Sequence, residues 1–402
     1  MTQPPPLRRG PARKLLVGLG RALHFSWDIL GITLLMLVTL VVLFGLGRRL
    51  LSRPDRTLEQ THPYAAESWF PQLESEYQAS LRMQWEPYTY WRRRAITGQY
   101  VNVDSLGHRR TIPSGPVAGP ARQVILLGGS TLWGTGERDA HTIPSQIAVQ
   151  LAAAGIRDVR VENFGETGYV FTQELLRLLL ELRQGARPAL VVFYDGLNDL
   201  FATAIDGACG IPQNERRRAV EFAIGRFLNT RAWSEFKDLV GTAWTRGVGG
   251  QTADARAPAG ASRDSVGSIR ARQTLTCYEA TAKLVEALAG AYGFQVLYVW
   301  QPMPATTVKP PTPYEARVLA RLEHGPLLPY VAASGRVAAG LVDSVMQPIA
   351  GPRFLNLATL FAGDSGAVWL DEIGHLTERA NARVAGAMLP AILQALKPPA
   401  PQ

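Results

Sequence analysis

The sequence predicts a doubly wound α/β domain on a parallel sheet, preceded by one membrane-spanning helix. Three observations lead there. From residue 121 onward, short apolar runs alternate with amphipathic stretches, the pattern of strands buried on both faces and joined by crossover helices. Turns carrying glycine, serine and asparagine follow three successive strand candidates. Near the N-terminus stands an uninterrupted run of eighteen uncharged residues. With 402 residues, 47% hydrophobic and 19% charged, the chain has ample material for a core and is no disordered protein. Two cysteines, Cys209 and Cys277, exclude a disulfide scaffold and a four-thiolate zinc site, leaving room for one bridge.

In chain order, the first segment is a basic tail, residues 1–28. Residues 1–60 hold nine Lys/Arg against three acids, so they carry +6 of the formal +9. The remaining charge is spread thinly, and no basic groove for nucleic acid is indicated. The run 29–46, ILGITLLMLVTLVVLFGL, is about 27 Å long as a helix, against roughly 30 Å of bilayer hydrocarbon. A buried core helix is the other reading, but such runs rarely go uninterrupted for this length. A cleaved signal peptide fits less well, because Gly47-Arg48-Arg49 stands where a small-residue cleavage site belongs. The expectation is a single uncleaved anchor over 29–47. Five basic residues precede it and four follow, so the charge bias is weak; a cytoplasmic N-terminus and an extracytoplasmic domain are expected.

Residues 48–120 are expected to form a stalk or lead-in that packs on the main domain, rich in aromatics and proline, including Trp69-Phe70-Pro71 and Trp85-Glu86-Pro87-Tyr88. The Pro/Gly stretch 113–120 marks a joint. The main domain then occupies 121–397. Its strands are predicted at 124–127, 159–163, 190–194, 295–299 and 353–357, aliphatic or β-branched runs. Its helices are predicted at 143–154, 172–183, 215–245, 267–291 and 377–396, with a flexible low-complexity insertion over 246–266.

Open α/β sheets bind ligands at the carboxyl ends of their strands. The first strand runs into Gly128-Gly129-Ser130-Thr131, the second into Asn163-Phe164-Gly165-Glu166-Thr167-Gly168, and the third into Asp195-Gly196-Leu197-Asn198-Asp199. Singly, each is turn geometry. A phosphate loop is excluded, since neither G-x-G-x-x-G nor Gly-Lys-Ser/Thr is present there, and a G-x-S-x-G elbow fails at Leu132. Together with Asp371-Glu372-Ile373-Gly374-His375, however, the loops offer what serine ester hydrolysis needs: a hydroxyl, an imidazole, an acid to orient it, and donors for an oxyanion.

At these residues the sequence resembles the SGNH (GDSL-type) hydrolase superfamily, as a membrane-anchored bacterial-type member. GGST resembles the nucleophile block, NFGETG the glycine block, GLND the G-x-N-D block and DEIGH the Asp-x-x-His block, over roughly residues 123–396. The resemblance implies a flavodoxin-like three-layer α/β/α domain. It implies Ser130 as nucleophile, His375 as general base and then acid, and an oxyanion hole from the N–H groups of Ser130 and Gly168 with the amide of Asn198. Gly129 replaces the usual aspartate. Asp371, four residues before His375, is the expected acid, since Gly374 lets the loop absorb one residue; Glu372 holds the usual spacing and is the alternative.

Plainer roles exist for the same residues. Asn198 would serve as a helix cap, and His375 as a solvated residue. His24, His62, His108, His141 and His324 read as structural or solvated. Asp195, Asp199 and Asp206 lack metal-ligand spacing and read as a solvated loop. Trp133 and Tyr169 suit either sugar stacking or core packing. The expected function is a membrane-anchored serine esterase removing small acyl groups, acetyl above all, from an ester substrate such as an extracytoplasmic acylated glycan. No cofactor, metal or nucleic acid is expected. The alternatives are an O-acyltransferase with the same triad, and a catalytically silent scaffold or glycan-binding subunit.

Overall fold

The computed structural model describes residues 31–46, 61–113, 121–230, 262–324 and 327–397. The chain divides into two units, Met1–Gln60 and Thr61–Gln402. In the first, residues 31–46 form helix α1, every residue of it exposed. Among the described residues, no helix is long and apolar enough to cross a membrane by an 18-residue criterion. The ends of the expected span 29–47 lie outside the described residues.

The second unit begins at Thr61, whereas the sequence draws its boundary at 121. The described part of the lead-in, residues 61–113, is folded. It supplies helix α2 (Phe70–Ser80), an antiparallel hairpin of β1 (Met83–Glu86) and β2 (Tyr90–Arg93), and a short pair β3 (Ile96–Thr97) and β4 (Asn102–Val103). Its Leu73, Val101 and Val103 close a small core around Trp133, and that burial makes it part of the domain.

Behind it stand β5 (Arg122–Gly128), α3 (Ser130–Trp133), α4 (Ile143–Ala153), β6 (Val159–Asn163), α5 (Phe171–Arg183), β7 (Pro188–Asp195), α6 (Leu197–Asp206) and α7 (Glu215–Thr230). They are followed by α8 (Arg263–Tyr292), β8 (Gln295–Trp300), α9 (Pro313–Ala320), α10 (Leu328–Ala350), β9 (Phe354–Asn356) and α11 (Glu378–Ala395). The main sheet has five strands in the order β6-β5-β7-β8-β9, every pair parallel. This is the flavodoxin-like winding, whose topological switch point lies between β5 and β7. Alternate residues feed two cores: Ile125, Leu127, Val191, Phe193 and Tyr298 on one face, Val124, Leu126, Val192, Leu297 and Val299 on the other. Helices α5, α6, α8 and α10 line the first face, α4 and α11 the second.

The five predicted strands are present, the last shortened to Phe354–Asn356. Helix α8 begins at Arg263 under a Ser262 cap that accepts from Ser265 N, so the last residues of the expected insertion 246–266 are helical. Its residues 246–261, and 231–245 of the expected helix 215–245, lie outside the described residues. Cys209 and Cys277 form a disulfide, Cα atoms 5.9 Å apart, tying the loop after α6 to α8.

Candidate active site

Strand β5 ends at Gly128, and Ser130 opens helix α3. First-turn N–H groups have no intrahelical acceptor, which leaves them available to a ligand at the carboxyl end of β5. Gly129 sits there for a steric reason: a Cβ on it would run into the Asn198 amide nitrogen. Glycine at this position therefore leaves the amide its space.

His375 reaches Ser130 from the loop before α11. Its Nε2 lies 2.8 Å from Ser130 Oγ, and its Nδ1 bonds Asp371 Oδ2. Asp371 Oδ1 accepts the backbone N–H groups of Ile373 and His375, each at 3.1 Å, which fixes the carboxylate within its own turn. Burial opposes its charge, but the His375 charge and these donors hold its carboxyl below the ordinary value. Glu372 turns away to Arg321 at 3.3 Å. Gly374, at φ +86°, takes up the extra residue between acid and histidine. His375 is buried, not solvated.

Asn198 is the second residue of α6. The helix is capped by Gly196 with no side-chain cap bond, so Asn198 does not serve as the cap. Its Nδ2 donates to Tyr169 O at 2.9 Å, leaving the second amide hydrogen uncommitted by that bond. Gly168, in the same loop as Tyr169, stands at φ +71°. The loop is anchored to the nucleophile helix through Asn163, whose Nδ2 donates to Leu132 O and Trp133 O while its Oδ1 accepts from Gly165 N.

Sequence reasoning missed the support that the lead-in gives this loop. Arg93 N donates to Glu166 Oε2 at 2.7 Å and its guanidinium to Thr167 Oγ1 at 2.6 Å. Trp91 Nε1 donates to Thr167 O, and Tyr169 OH to Trp91 O. Trp133 lies between two guanidinium groups, Arg93 at 3.7 Å and Arg109 at 4.2 Å from ring centres. Trp133 and Tyr169 are buried, which makes them core residues and not a sugar platform. The run Trp91-Arg92-Arg93-Arg94 carries no signal for this, since basic runs ordinarily mark solvated surface.

Other expectations are corrected as well. Asp195, Asp199 and Asp206 are buried, not solvated. Asp195 and Asp199 lie with Glu174 beneath the site. Burial pushes Asp195 and Glu174 well above the ordinary range, with the Asp199 charge adding to both and the Asp195 charge to Glu174, and burial raises Asp199 to about 7. Asp199 still accepts from Phe171 N. Among the described residues, no His/Cys/Asp/Glu group has the arrangement of a metal site. His62 stacks on Phe70 and shares with Asp371 and His375 a cavity of about 160 Å³. Burial lowers its pKa to about 4, so it is neutral at neutral pH.

No family model and no curated protein matches the chain. Solved structures similar to it include TesA, at 19% identity over 68% of this chain and 100% of that one, with a TM-score of 0.36. A carbohydrate acetylesterase family member from Sinorhizobium meliloti is similar at 16% identity over 68% and 99%, TM-score 0.33. A lipase/acylhydrolase from Enterococcus faecalis is similar at 14% identity over 70% and 100%, TM-score 0.37.

Proposed function

We propose that this chain is a serine esterase of the SGNH type that cleaves small acyl esters, acetyl esters above all, through an acyl-serine intermediate. The hydrogen-bond chain Ser130–His375–Asp371, ending at a crevice that also holds Asn198, carries the proposal. With Nδ1–H given to Asp371, Nε2 bears the lone pair that accepts the Ser130 proton. Ser130 Oγ then attacks the ester carbonyl carbon. The carbonyl oxygen gains the negative charge and meets the N–H groups of Ser130 and Gly168 and the free amide hydrogen of Asn198. Collapse breaks the C–O bond, and His375 returns its proton to the leaving alcohol. Water, deprotonated by the same imidazole, releases the acid. A sugar hydroxyl in place of water would make the same site an acyltransferase.

Residues 29–46 are read as a membrane anchor, a reading supported by the uncharged, exposed helix α1. Reporter fusions after residue 60, one active only outside the cytoplasm and one only inside, test the orientation; an active inside reporter would reverse it. For the chemistry, the decisive experiment is labelling the full chain with a fluorophosphonate and mapping the adduct. Modification at Ser130, lost together with aryl-acetate hydrolysis in Ser130→Ala, is expected. Wild-type turnover in that variant would remove the esterase proposal.

A further inference from the structure

We propose that the β1–β2 hairpin, with the facing end of α7, is a glycan subsite that seats a sugar ring beside the oxyanion loop; this deepens the esterase reading and rests on it. Two large aromatic side chains on the hairpin are left in solvent, Trp85 at 67% and Tyr88 at 64% exposure. Trp85 continues a line of rings that leads to the site, and Tyr88 stands exposed at the turn of the same hairpin. Trp85 and Tyr90 have centroids 5.5 Å apart, and Tyr90 and Trp91 lie 6.5 Å apart at an interplanar angle of only 24°. Trp91 Cζ2 stands 3.8 Å from where a Cβ on Gly168 would be, and Gln213 Nε2 approaches Asn198 Oδ1 at 3.5 Å. The line therefore ends at the proposed oxyanion donors.

Planar polar groups are interleaved with the rings. The Arg218 guanidinium lies over Tyr90 at 4.6 Å and Trp91 at 5.2 Å, and Glu215 accepts from Tyr90 OH. A sugar ring presents an apolar C–H face edged by hydroxyls, and a ring face beside carboxylate, amide and guanidinium matches both parts. A bilayer interface would match the rings alone and make no use of the Gln213 amide and the Arg218–Glu215 pair that stand among them. The platform is also held in one shape. Tyr88 and Tyr90 adopt left-handed φ values of 69° and 74°, a conformation that persists only where the surroundings over-determine it. Buried Thr89 between them accepts from Gln173 Nε2 at 2.8 Å.

The test uses the full chain in detergent with partially O-acetylated oligosaccharides of neutral, uronic-acid and amino-sugar backbones. On a Ser130→Ala background, at least one set should bind. Trp85→Ala and Tyr88→Asn, the latter compatible with left-handed backbone, should each weaken that binding by roughly tenfold. With Ser130 intact, they should raise KM on the glycan ester and leave phenyl-acetate hydrolysis unchanged. Binding to none of the sets, unchanged binding in both variants, or an equal fall on both substrates would overturn the subsite. In nanodiscs, quenching of Trp85 by brominated lipid would overturn it in favour of a membrane contact. Glycan binding that depends on Trp85, without hydrolysis by the unmodified chain, would sink the esterase reading and leave the subsite standing.

Discussion

Asp371 meets His375 because three local details agree: its Oδ1 is tied to two backbone N–H groups of its own turn, Gly374 accepts positive φ, and Glu372 is drawn off by Arg321. Loss of the acceptor's charge would disorient the imidazole without touching the core. Asp371→Asn should therefore lower kcat on an aryl acetate by up to about 10⁴ while the melting temperature holds. Glu372→Gln should stay near the unmodified rate. A crippled Glu372→Gln beside a nearly silent Asp371→Asn would transfer the role to the glutamate. Gly129 makes a second case at this scale. Its missing Cβ is the space in which the Asn198 amide rests, so Gly129→Ala should displace that donor and lower kcat by roughly 10²–10³, as loss of one oxyanion donor does. Because both changes remove the same donor, Gly129→Ala with Asn198→Ala should be no slower than Asn198→Ala alone. Fully multiplicative losses in the double-mutant cycle would show that Gly129 acts elsewhere.

At the scale of elements, helix α9 locks the acid–histidine loop to the sheet. Glu315, fully buried, accepts from Val368 N and Trp369 N and from Lys309 Nζ at 2.6 Å. Burial opposes its charge, but these donors outweigh it and hold its carboxyl below the ordinary value. Glu315→Gln strands a buried ammonium group and should cost about 3–5 kcal/mol in urea unfolding. Adding Lys309→Met should recover a large part; no recovery would mean that the backbone bonds and not the ion pair set the cost. This helix also shows what was legible. Thr312-Pro-Tyr-Glu315 is a capping box in plain sequence, yet neither α9 nor the Ala-, Gly- and Val-rich α10 is among the predicted helices. The sheet strands were legible, since aliphatic runs at strand length have few other uses. The β1–β2 hairpin was not, because its turn places tyrosines and not Asn-Gly at positive φ. Likewise, Ser130 and Asn198 stand out in loops after strands, and Asp371 and His375 as a block before the last helix, whereas Arg93 and Glu166 acquire meaning only when distant segments meet.

For the domain as a whole, the face of the sheet under the site carries a cost that depends on pH. Glu174 and Asp195 are buried with Asp199, and all three are held protonated past the ordinary carboxylate range, Asp199 to about 7. The unfolded chain releases these protons near pH 4. Below that pH both states are protonated and the groups contribute nothing to the pH dependence. As pH rises from about 4 to about 7, the unfolded state sheds protons that the folded state keeps, so folding loses free energy throughout that window. Asp371 and Glu315, held below their ordinary values, act in the opposite sense and lose their contribution as the medium becomes more acidic. His62 and His108, whose pKa values burial lowers to about 4, act against the carboxylates between about pH 4 and 6.5, so the carboxylate contribution is read from variants and not from the position of the stability maximum. Glu174→Gln with Asp199→Asn keeps the volumes, and asparagine retains an acceptor for Phe171 N. Urea midpoints of this pair between pH 4.5 and 8 should flatten relative to the unmodified chain, while the exposed control Glu279→Gln should not. An unchanged slope in the pair would mean that the carboxylates ionise in the folded state, with water reaching them, and that any loss of stability between about pH 4 and 7 originates elsewhere.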